Sequence, residues 1–211
     1  MLDEQVAAQY VYHSNRLDGV TLSLDQTKRI LAGQLTTPQK GEDGREFETE
    51  LVLGHRRALG GMDMIAESSR DVTQDDVQNL HKMLMGELLL SAGEYRECQL
   101  RYKGVLIPSP PEYLPERMAW FVRLMNTGLA NAKDAHRFSW RIHHEFITLH
   151  PFIEGNGRMA RLIMNLARVR RGLEVAVIPY ESRVQYGDAI LEFQKQKIER
   201  AQAKASGMGS L

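Results

Sequence analysis

Residues 150–161 read HPFIEGNGRMAR and separate two stretches of helical periodicity, at 134–148 and 156–171. The residue before Pro151 is disfavoured in the α conformation, so the first helix must end there. The glycines of the G-N-G triplet allow a tight turn in which backbone N–H groups converge. The sequence therefore predicts a helix, a turn, and a second helix whose N-terminus faces the turn.

Apolar residues recur with a helical period along most of the chain. Boundary signals support this reading: Ser23, Thr73 and Asn156 suit N-caps, Pro115 suits a first helical turn, and Gly172 suits the position after a helix. The predicted helices are 3–17, 24–32, 46–68, 73–90, 114–131, 134–148, 156–171 and 183–204.

One segment departs from the helical period. Residues 97–102 and 105–107 alternate around Lys103-Gly104, which is typical of a β-hairpin. The prolines that follow cannot continue a helix. We therefore predict a mainly α fold with one small β-hairpin.

The composition indicates one globular domain over residues 1–211, since 43% of the residues are hydrophobic and 26% are charged. The formal net charge is zero, which does not favour nucleic acid or an anionic membrane as a partner. Cys98 is the single cysteine, so no disulfide can form within the chain. No apolar run is long enough for a membrane helix, and the first residues lack a signal-peptide pattern. We expect a cytoplasmic protein.

The turn and the helix after it carry the chemistry. Unpaired amides at a helix N-terminus behind a glycine turn form an anion site, and Arg158 and Arg161 can bind further phosphate oxygens. Glu154 would repel phosphate unless Mg²⁺ joined the two. His150 is the nearby group whose pKa suits proton removal near neutral pH. These residues predict a site for a nucleotide-like ligand and a metal.

Every position of residues 150–161 agrees with the Fic family signature H-P-F-x-[D/E]-G-N-G-R-x-x-R, and the chain resembles that family over roughly residues 10–195. The resemblance implies a protein adenylyltransferase, which transfers AMP from ATP to a tyrosine, threonine or serine hydroxyl of a target protein and releases pyrophosphate. His150 would deprotonate that hydroxyl, and Glu154 would hold Mg²⁺. The α-phosphate would bind Asn156 and the amides of the turn, the pyrophosphate Arg158, and the γ-phosphate Arg161. The phosphate-binding set would then be Gly155, Asn156, Gly157, Arg158 and Arg161.

The segment GEYRECQLRYKGVLIPSPPEYLP, from residue 93, resembles the family's G-x-Y-R segment and flap hairpin. By this resemblance, residues 97–107 would pair with an extended target segment through main-chain hydrogen bonds. Auto-modification and a homodimer are left open. The domain would divide into an inhibitory region at 1–33, a catalytic core at 34–205 and a flexible tail at 206–211. The flap residues at the target would be Leu100, Arg101, Tyr102, Lys103, Gly104 and Val105.

The segment YHSNRLDGVTLSLDQT, from residue 12, resembles the family's inhibitory helix, [S/T]-x-x-x-E-[G/N]. Ser14 and Gly19 match, but Asp18 stands where the family has glutamate. The family's glutamate pairs with the second signature arginine, here Arg161, and competes with the γ-phosphate. Aspartate reaches about 1.5 Å less, so we expect partial autoinhibition. The alternative is that Asp18 only ends its helix.

The segment SRVQYGDAI resembles a family stretch beside the adenine, R-x-x-Y-Y-x-A-L, although Gly187 replaces the second tyrosine. Tyr186 would flank the base or, alternatively, belong to the core. His136, His143 and His144 share one helix, but the spacing is too loose for a closed metal site, so we expect solvated or core histidines.

Other functions remain open. The same scaffold could transfer another phosphate-containing group or remove AMP, although the intact Gly157 favours AMP transfer, because phosphorylating relatives typically carry lysine there. A nucleotide-binding regulatory or interaction protein without catalytic activity is the non-enzymatic alternative. The target, the modified residue type and the choice between Mg²⁺ and Mn²⁺ are not determined by the sequence.

Overall fold

The computed structural model describes residues 3–35, 47–100 and 108–205, and within these ranges the regular structure is helical, with no β-strand. The prediction of a mainly α fold is confirmed. Two short 3₁₀ turns, Pro111–Tyr113 and Tyr180–Ser182, precede α5 and α8. The helices are α1 Glu4–Leu17, α2 Leu24–Leu31, α3 Glu48–Glu67, α4 Gln74–Met85, α5 Leu114–Asn131, α6 Ala135–Leu149, α7 Asn156–Arg170 and α8 Arg183–Ala205.

Most of the predicted helix boundaries hold because their capping chemistry is present. Ser23 and Thr73 each close a capping box with the residue three positions later. Pro115 lies in the first turn of α5. Gly172 follows α7 with φ 71°, a left-handed conformation that glycine adopts without strain.

Two boundary predictions were wrong. α4 ends at Met85 rather than at residue 90, since Gly86 is a poor helix former and the chain continues in short turns, with Leu88 N–H on the Met85 carbonyl at 2.9 Å. The N-cap of α7 is Gly155, so Asn156 is the first helical residue rather than the cap.

The predicted hairpin is not observed in its described part, residues 97–100. The Cys98 carbonyl accepts from the Arg96 guanidinium at 2.8 Å, and the Gln99 side-chain amide donates to the carbonyls of Leu100 and Pro108. Side chains therefore take carbonyls that a strand ladder would use. Residues 101–107, with the remaining predicted flap residues, lie outside the described ranges, as does the predicted tail at 206–211.

α7 is the central helix of the fold. Every residue from 158 to 167 is buried, and the helix packs mainly against α6 and α3. Because α7 is covered on all sides, the three buried polar side chains in this stretch, Arg158, Arg161 and Asn165, require partners from neighbouring elements.

α1 lies across α2, α3 and the first part of α7. The outer face of α1 contacts the turn at Tyr180, whose N–H donates to His13 Nδ1 at 3.1 Å and whose ring lies under the Arg16 guanidinium. This packing brings the C-terminal end of α1 to the N-terminus of α7. Among the described residues, no helix combines the length and the apolar composition needed to cross a lipid bilayer.

Candidate active site

His150 ends α6 in a left-handed conformation, φ 49° and ψ 59°, and is the only non-glycine residue with positive φ in the described ranges. Its Nδ1 lies 3.3 Å from the Ile147 carbonyl. Because a carbonyl only accepts, Nδ1 carries the hydrogen and Nε2 keeps its lone pair. Burial lowers the pKa of His150 to about 4. The imidazole is therefore neutral at pH 7 and can accept a proton.

The turn between α6 and α7 is held by Asn156. Its Oδ1 accepts from the Phe152 N–H at 3.0 Å, and its Nδ2 donates to the Phe152 carbonyl at 2.8 Å. Gly155, at φ 74°, is the N-cap, and within the described residues no side chain caps α7. The backbone amides at the start of α7 are therefore the groups suited to an anion, whereas the Asn156 side chain maintains the turn.

His81, on α4, supports this turn from behind. Its ring stacks on Phe152 with centroids 3.7 Å apart. Its Nδ1 accepts from the Gly93 N–H at 2.8 Å, so Nε2 carries the hydrogen and donates to the Glu154 carbonyl at 3.1 Å. Burial lowers the pKa of His81 to about 4. The fully buried ring is neutral and joins the Gly93 N–H to the Glu154 carbonyl through its two nitrogens.

Asp18 binds both arginines of α7. Arg161 Nη2 donates to Asp18 Oδ1 at 2.9 Å, and Arg158 Nε donates to Asp18 Oδ2 at 3.2 Å. Ser14 adds two contacts to Arg161, through its hydroxyl and its carbonyl, both at 2.8 Å. Arg158 and Arg161 are only 3% and 2% exposed, so a carboxylate from α1 neutralises two charges that water hardly reaches.

Coulombic attraction outweighs burial at Asp18 and Arg161, whereas at Arg158 burial prevails and lowers the pKa. Burial would raise the pKa of Asp18, but the charges of Arg161 and Arg158 hold it below its usual range. Burial would likewise lower the pKa of Arg161, but Asp18 raises it. Gly157 makes the close approach possible, because a Cβ at this position would lie 2.6 Å from Asp18 Oδ1.

Tyr186 extends the cluster. Arg161 Nη1 donates to its hydroxyl at 3.2 Å, and that hydroxyl lies 2.7 Å from His143 Nε2. Burial lowers the pKa of His143 well below its usual value, so the neutral ring accepts from Tyr186. Tyr186 is thus joined to Arg161, whereas its contact with an adenine stays a prediction.

Glu154 is exposed at the edge of the turn. In the described part of the chain, no three histidine, cysteine or acidic side chains gather as a metal site. Mg²⁺ in nucleotide sites binds one or two carboxylates together with phosphate oxygens. A single accessible carboxylate beside an anion site fits a metal that arrives with a nucleotide.

The three histidines of α6 lie in different environments. His136 is exposed, His143 is fully buried against Tyr186, and His144 is partly buried beside Phe193, with ring centroids 4.9 Å apart. The interpretation as solvated or core side chains agrees with these positions.

Sequence analysis missed several residues around the turn. It did not identify His81, the role of His143, or the contact of Asp18 with Arg158. Each of these contacts joins residues that are far apart in the chain, and no local pattern indicates it. Arg96 carried a signal, since it belongs to the G-x-Y-R segment, but no role was assigned to it.

Residues 71–167 match the model of the Fic/DOC family. Protein adenylyltransferase fic-1 of Caenorhabditis briggsae is 33% identical over 180 residues, which are 84% of this chain and 34% of that protein. Protein adenylyltransferase Fic of Drosophila melanogaster is 31% identical over 179 residues, 84% of this chain and 35% of that protein. The chain thus spans about a third of the length of these curated relatives.

Solved structures agree on the fold. A Fic domain containing signaling protein from Bacteroides thetaiotaomicron superposes with a TM-score of 0.80 at 25% identity, covering 89% of this chain and 71% of that one. A fragment of Fic-1 from Caenorhabditis elegans gives a TM-score of 0.79 at 29% identity, covering 90% of this chain and 56% of that one.

Proposed function

Since residues 71–167 form a Fic domain, we propose that this protein is an ATP-dependent protein adenylyltransferase. Its substrates would be ATP and a target protein with an accessible tyrosine, threonine or serine hydroxyl. The observation that carries the proposal is the position of His150 at the end of α6, next to the N-terminus of α7, which also bears Arg158 and Arg161. A base, an anion site and two cations thus meet at one turn.

The triphosphate would lie along the start of α7. The amides after Gly155 would bind the α-phosphate, and the guanidinium groups of Arg158 and Arg161 would bind the outer phosphates. Arg158 supports this proposal, because its buried Nη1 has no hydrogen-bond partner among the residues described. A buried unsatisfied donor is costly, and a phosphate oxygen would satisfy it.

The reaction is a displacement at the α-phosphorus. The target hydroxyl oxygen forms the new P–O bond, His150 Nε2 takes the hydroxyl proton, and the bond to the pyrophosphate oxygen breaks. The arginines and the helix amides stabilise the charge on the departing pyrophosphate. Glu154 would hold Mg²⁺, which lowers the repulsion between the phosphates and the incoming oxygen when it is bound.

The N-terminal region would act as a partial brake. Asp18 occupies the Arg161 nitrogen that the γ-phosphate would use, and it also engages Arg158. The shorter aspartate side chain reaches both groups because Gly157 lets α1 approach. A phosphate can replace Asp18, since both are anions that pair with the same guanidinium groups.

AMP transfer from α-labelled ATP tests the proposal. We expect Asp18→Gly to label itself or proteins of a lysate faster than the wild type, with the mass of AMP added to the acceptor. Asp18→Gly combined with His150→Ala should lose roughly 100- to 10,000-fold in rate, the usual contribution of a positioned base.

Undiminished labelling by the double variant would rule out His150 as the base. Tight ATP binding without any adduct in either variant would instead favour the nucleotide-binding regulatory alternative.

A further inference from the structure

Arg96 is a buried cation next to the proposed catalytic turn, and the partners of its side chain among the described residues are neutral. Its side chain belongs to a residue that is only 4% exposed, and none of the described carboxylates forms an ion pair with it. Buried arginines usually pair with an acid, as Arg161 does with Asp18. A buried guanidinium satisfied by carbonyls therefore serves geometry rather than charge neutralisation.

The three nitrogens of this guanidinium bind three separate carbonyls. Nε donates to the His150 carbonyl at 2.8 Å, Nη1 to Cys98 at 2.8 Å, and Nη2 to Ser109 at 2.5 Å. The planar fork of arginine fixes the angles between these donors. Arg96 thus ties the catalytic histidine to two backbone positions that are eleven residues apart in the chain.

The backbone of Arg96 reinforces the connection. Its N–H donates to the Pro151 carbonyl at 2.9 Å, so the carbonyls of residues 150 and 151 are both held by one residue. His150 needs such support, because a non-glycine residue in the left-handed region is strained and persists only when its surroundings fix it. The contacts of Arg96 to residues 150 and 151 supply that constraint.

We infer that Arg96 is a positioning residue that holds His150 in its left-handed conformation and fixes the distance between the imidazole and the chain at Cys98 and Ser109. The inference rests on the proposed function, in which His150 is the base. Arg96 touches neither ATP nor the hydroxyl in this scheme. It determines where the base stands relative to the acceptor.

The test compares Arg96→Lys and Arg96→Gln with Arg171→Lys, all in the Asp18→Gly background. Arg171 is a matched control, because it also donates to two backbone carbonyls, Leu129 at 2.5 Å and Ala132 at 2.7 Å, but at the opposite end of α7. The rate of AMP transfer to the chain itself is measured against ATP concentration, at a temperature well below each melting point.

We expect both Arg96 variants to lower the maximal rate roughly 10- to 100-fold, the scale of a misplacement near 1 Å. The ATP concentration at half-maximal rate should stay within about twofold of the background, since the phosphate-binding groups are untouched. Because each variant is folded at this temperature, a lower maximal rate does not reflect unfolding, and the Arg171 control should change neither quantity. An unchanged maximal rate for Arg96→Lys and Arg96→Gln would overturn the inference.

Crystal structures of the Arg96 variants supply a readout independent of activity. We expect the backbone at residue 150 to leave the left-handed region or the imidazole to shift. An unchanged His150 conformation would also overturn the inference. If Asp18→Gly itself transfers no AMP, the proposed function fails, whereas the conformation of His150 still decides the role of Arg96.

Discussion

The turn of residues 151–155 and the arginine pair of α7 adjoin each other, but different forces hold them. The turn is maintained mainly by hydrogen bonds between neutral groups, from Asn156 to Phe152 and from His81 to the Glu154 carbonyl, and among its described contacts only the Gly155 N–H donates to a carboxylate, that of Glu154. Arg158 and Arg161 are held by the charge of Asp18. A neutral scaffold keeps its shape when an anion enters, whereas a carboxylate can be exchanged for a phosphate. The comparison indicates a fixed turn beside a replaceable charge.

Asn156→Asp, which alters the turn, should have the largest effect on the free energy of unfolding. Aspartate lacks the donor to the Phe152 carbonyl and places a negative charge at a residue that is only 2% exposed. We expect the free energy of unfolding to fall by about 3 kcal/mol, the scale for an uncompensated buried charge. Urea unfolding monitored by circular dichroism measures it.

Asn131→Asp is the matched control for that substitution. Asn131 also donates to a backbone carbonyl, that of Thr127, but on an exposed helix end. Its substitution should change the free energy of unfolding by less than about 0.5 kcal/mol. Equal effects of the two substitutions would mean that the turn does not depend on the Asn156 amide.

Asp18→Asn tests whether the carboxylate that holds the arginine pair can be exchanged for a phosphate. It removes the competing charge and keeps the side-chain volume, so ATP with Mg²⁺ should bind roughly 10- to 100-fold more tightly, on the scale of a hydrogen bond to a charged group. Calorimetric titration measures the affinity. The exposed Asp25, on α2, provides the control substitution Asp25→Asn. Equal affinity for all three proteins would show that Asp18 does not compete with phosphate.

Acid should destabilise the fold through its buried histidines, including His81 behind the turn. The pKa of His81 is about 4 in the folded protein, against 6.5 in the unfolded chain, so the unfolded state alone takes up the proton between these values. Stability is therefore lost as the pH falls from 6.5 towards 4, by up to about 1.4 kcal/mol per pH unit from His81. The pKa of Asp18 is held below its usual range, so its ion pairs persist through this window.

Melting temperatures of the wild type and of His81→Gln between pH 7 and pH 5 test this prediction. Glutamine can still accept from Gly93 and donate to Glu154, but it takes up no proton. The variant should show a smaller decrease with acid than the wild type. Parallel curves would contradict the assignment of the pH dependence to His81.

The helices and the turn between α6 and α7 were predictable because their signals are local. Apolar periodicity, the capping residues Ser23 and Thr73, and the G-N-G triplet all act within a few neighbouring positions. The resemblance of residues 12–27 to an inhibitory helix identified Asp18 and Arg161 as a pair, and the two side chains do meet. Local chemistry therefore predicted the mainly α fold and the turn between α6 and α7, and the family resemblance predicted the contact of Asp18 with Arg161.

The supporting contacts were not predictable from the sequence. Arg96, His81 and Tyr186 bind groups that are 25 to 73 positions away in the chain, at His150, Glu154 and Arg161. Alternation at 97–100 suggested a strand, but whether a carbonyl pairs with a ladder or with a guanidinium depends on the tertiary neighbour. Such competition is decided by packing, which local propensity does not contain.

The lack of a side chain at Gly157 leaves the space that the Asp18 carboxylate occupies against α7. With the ideal Cβ position only 2.6 Å from Asp18 Oδ1, even alanine would have to push the carboxylate aside. A substitution at position 157 could therefore change how strongly Asp18 pairs with the arginines of α7, without altering α1. The size of the side chain at position 157 would then determine how closely two segments 139 residues apart can approach each other.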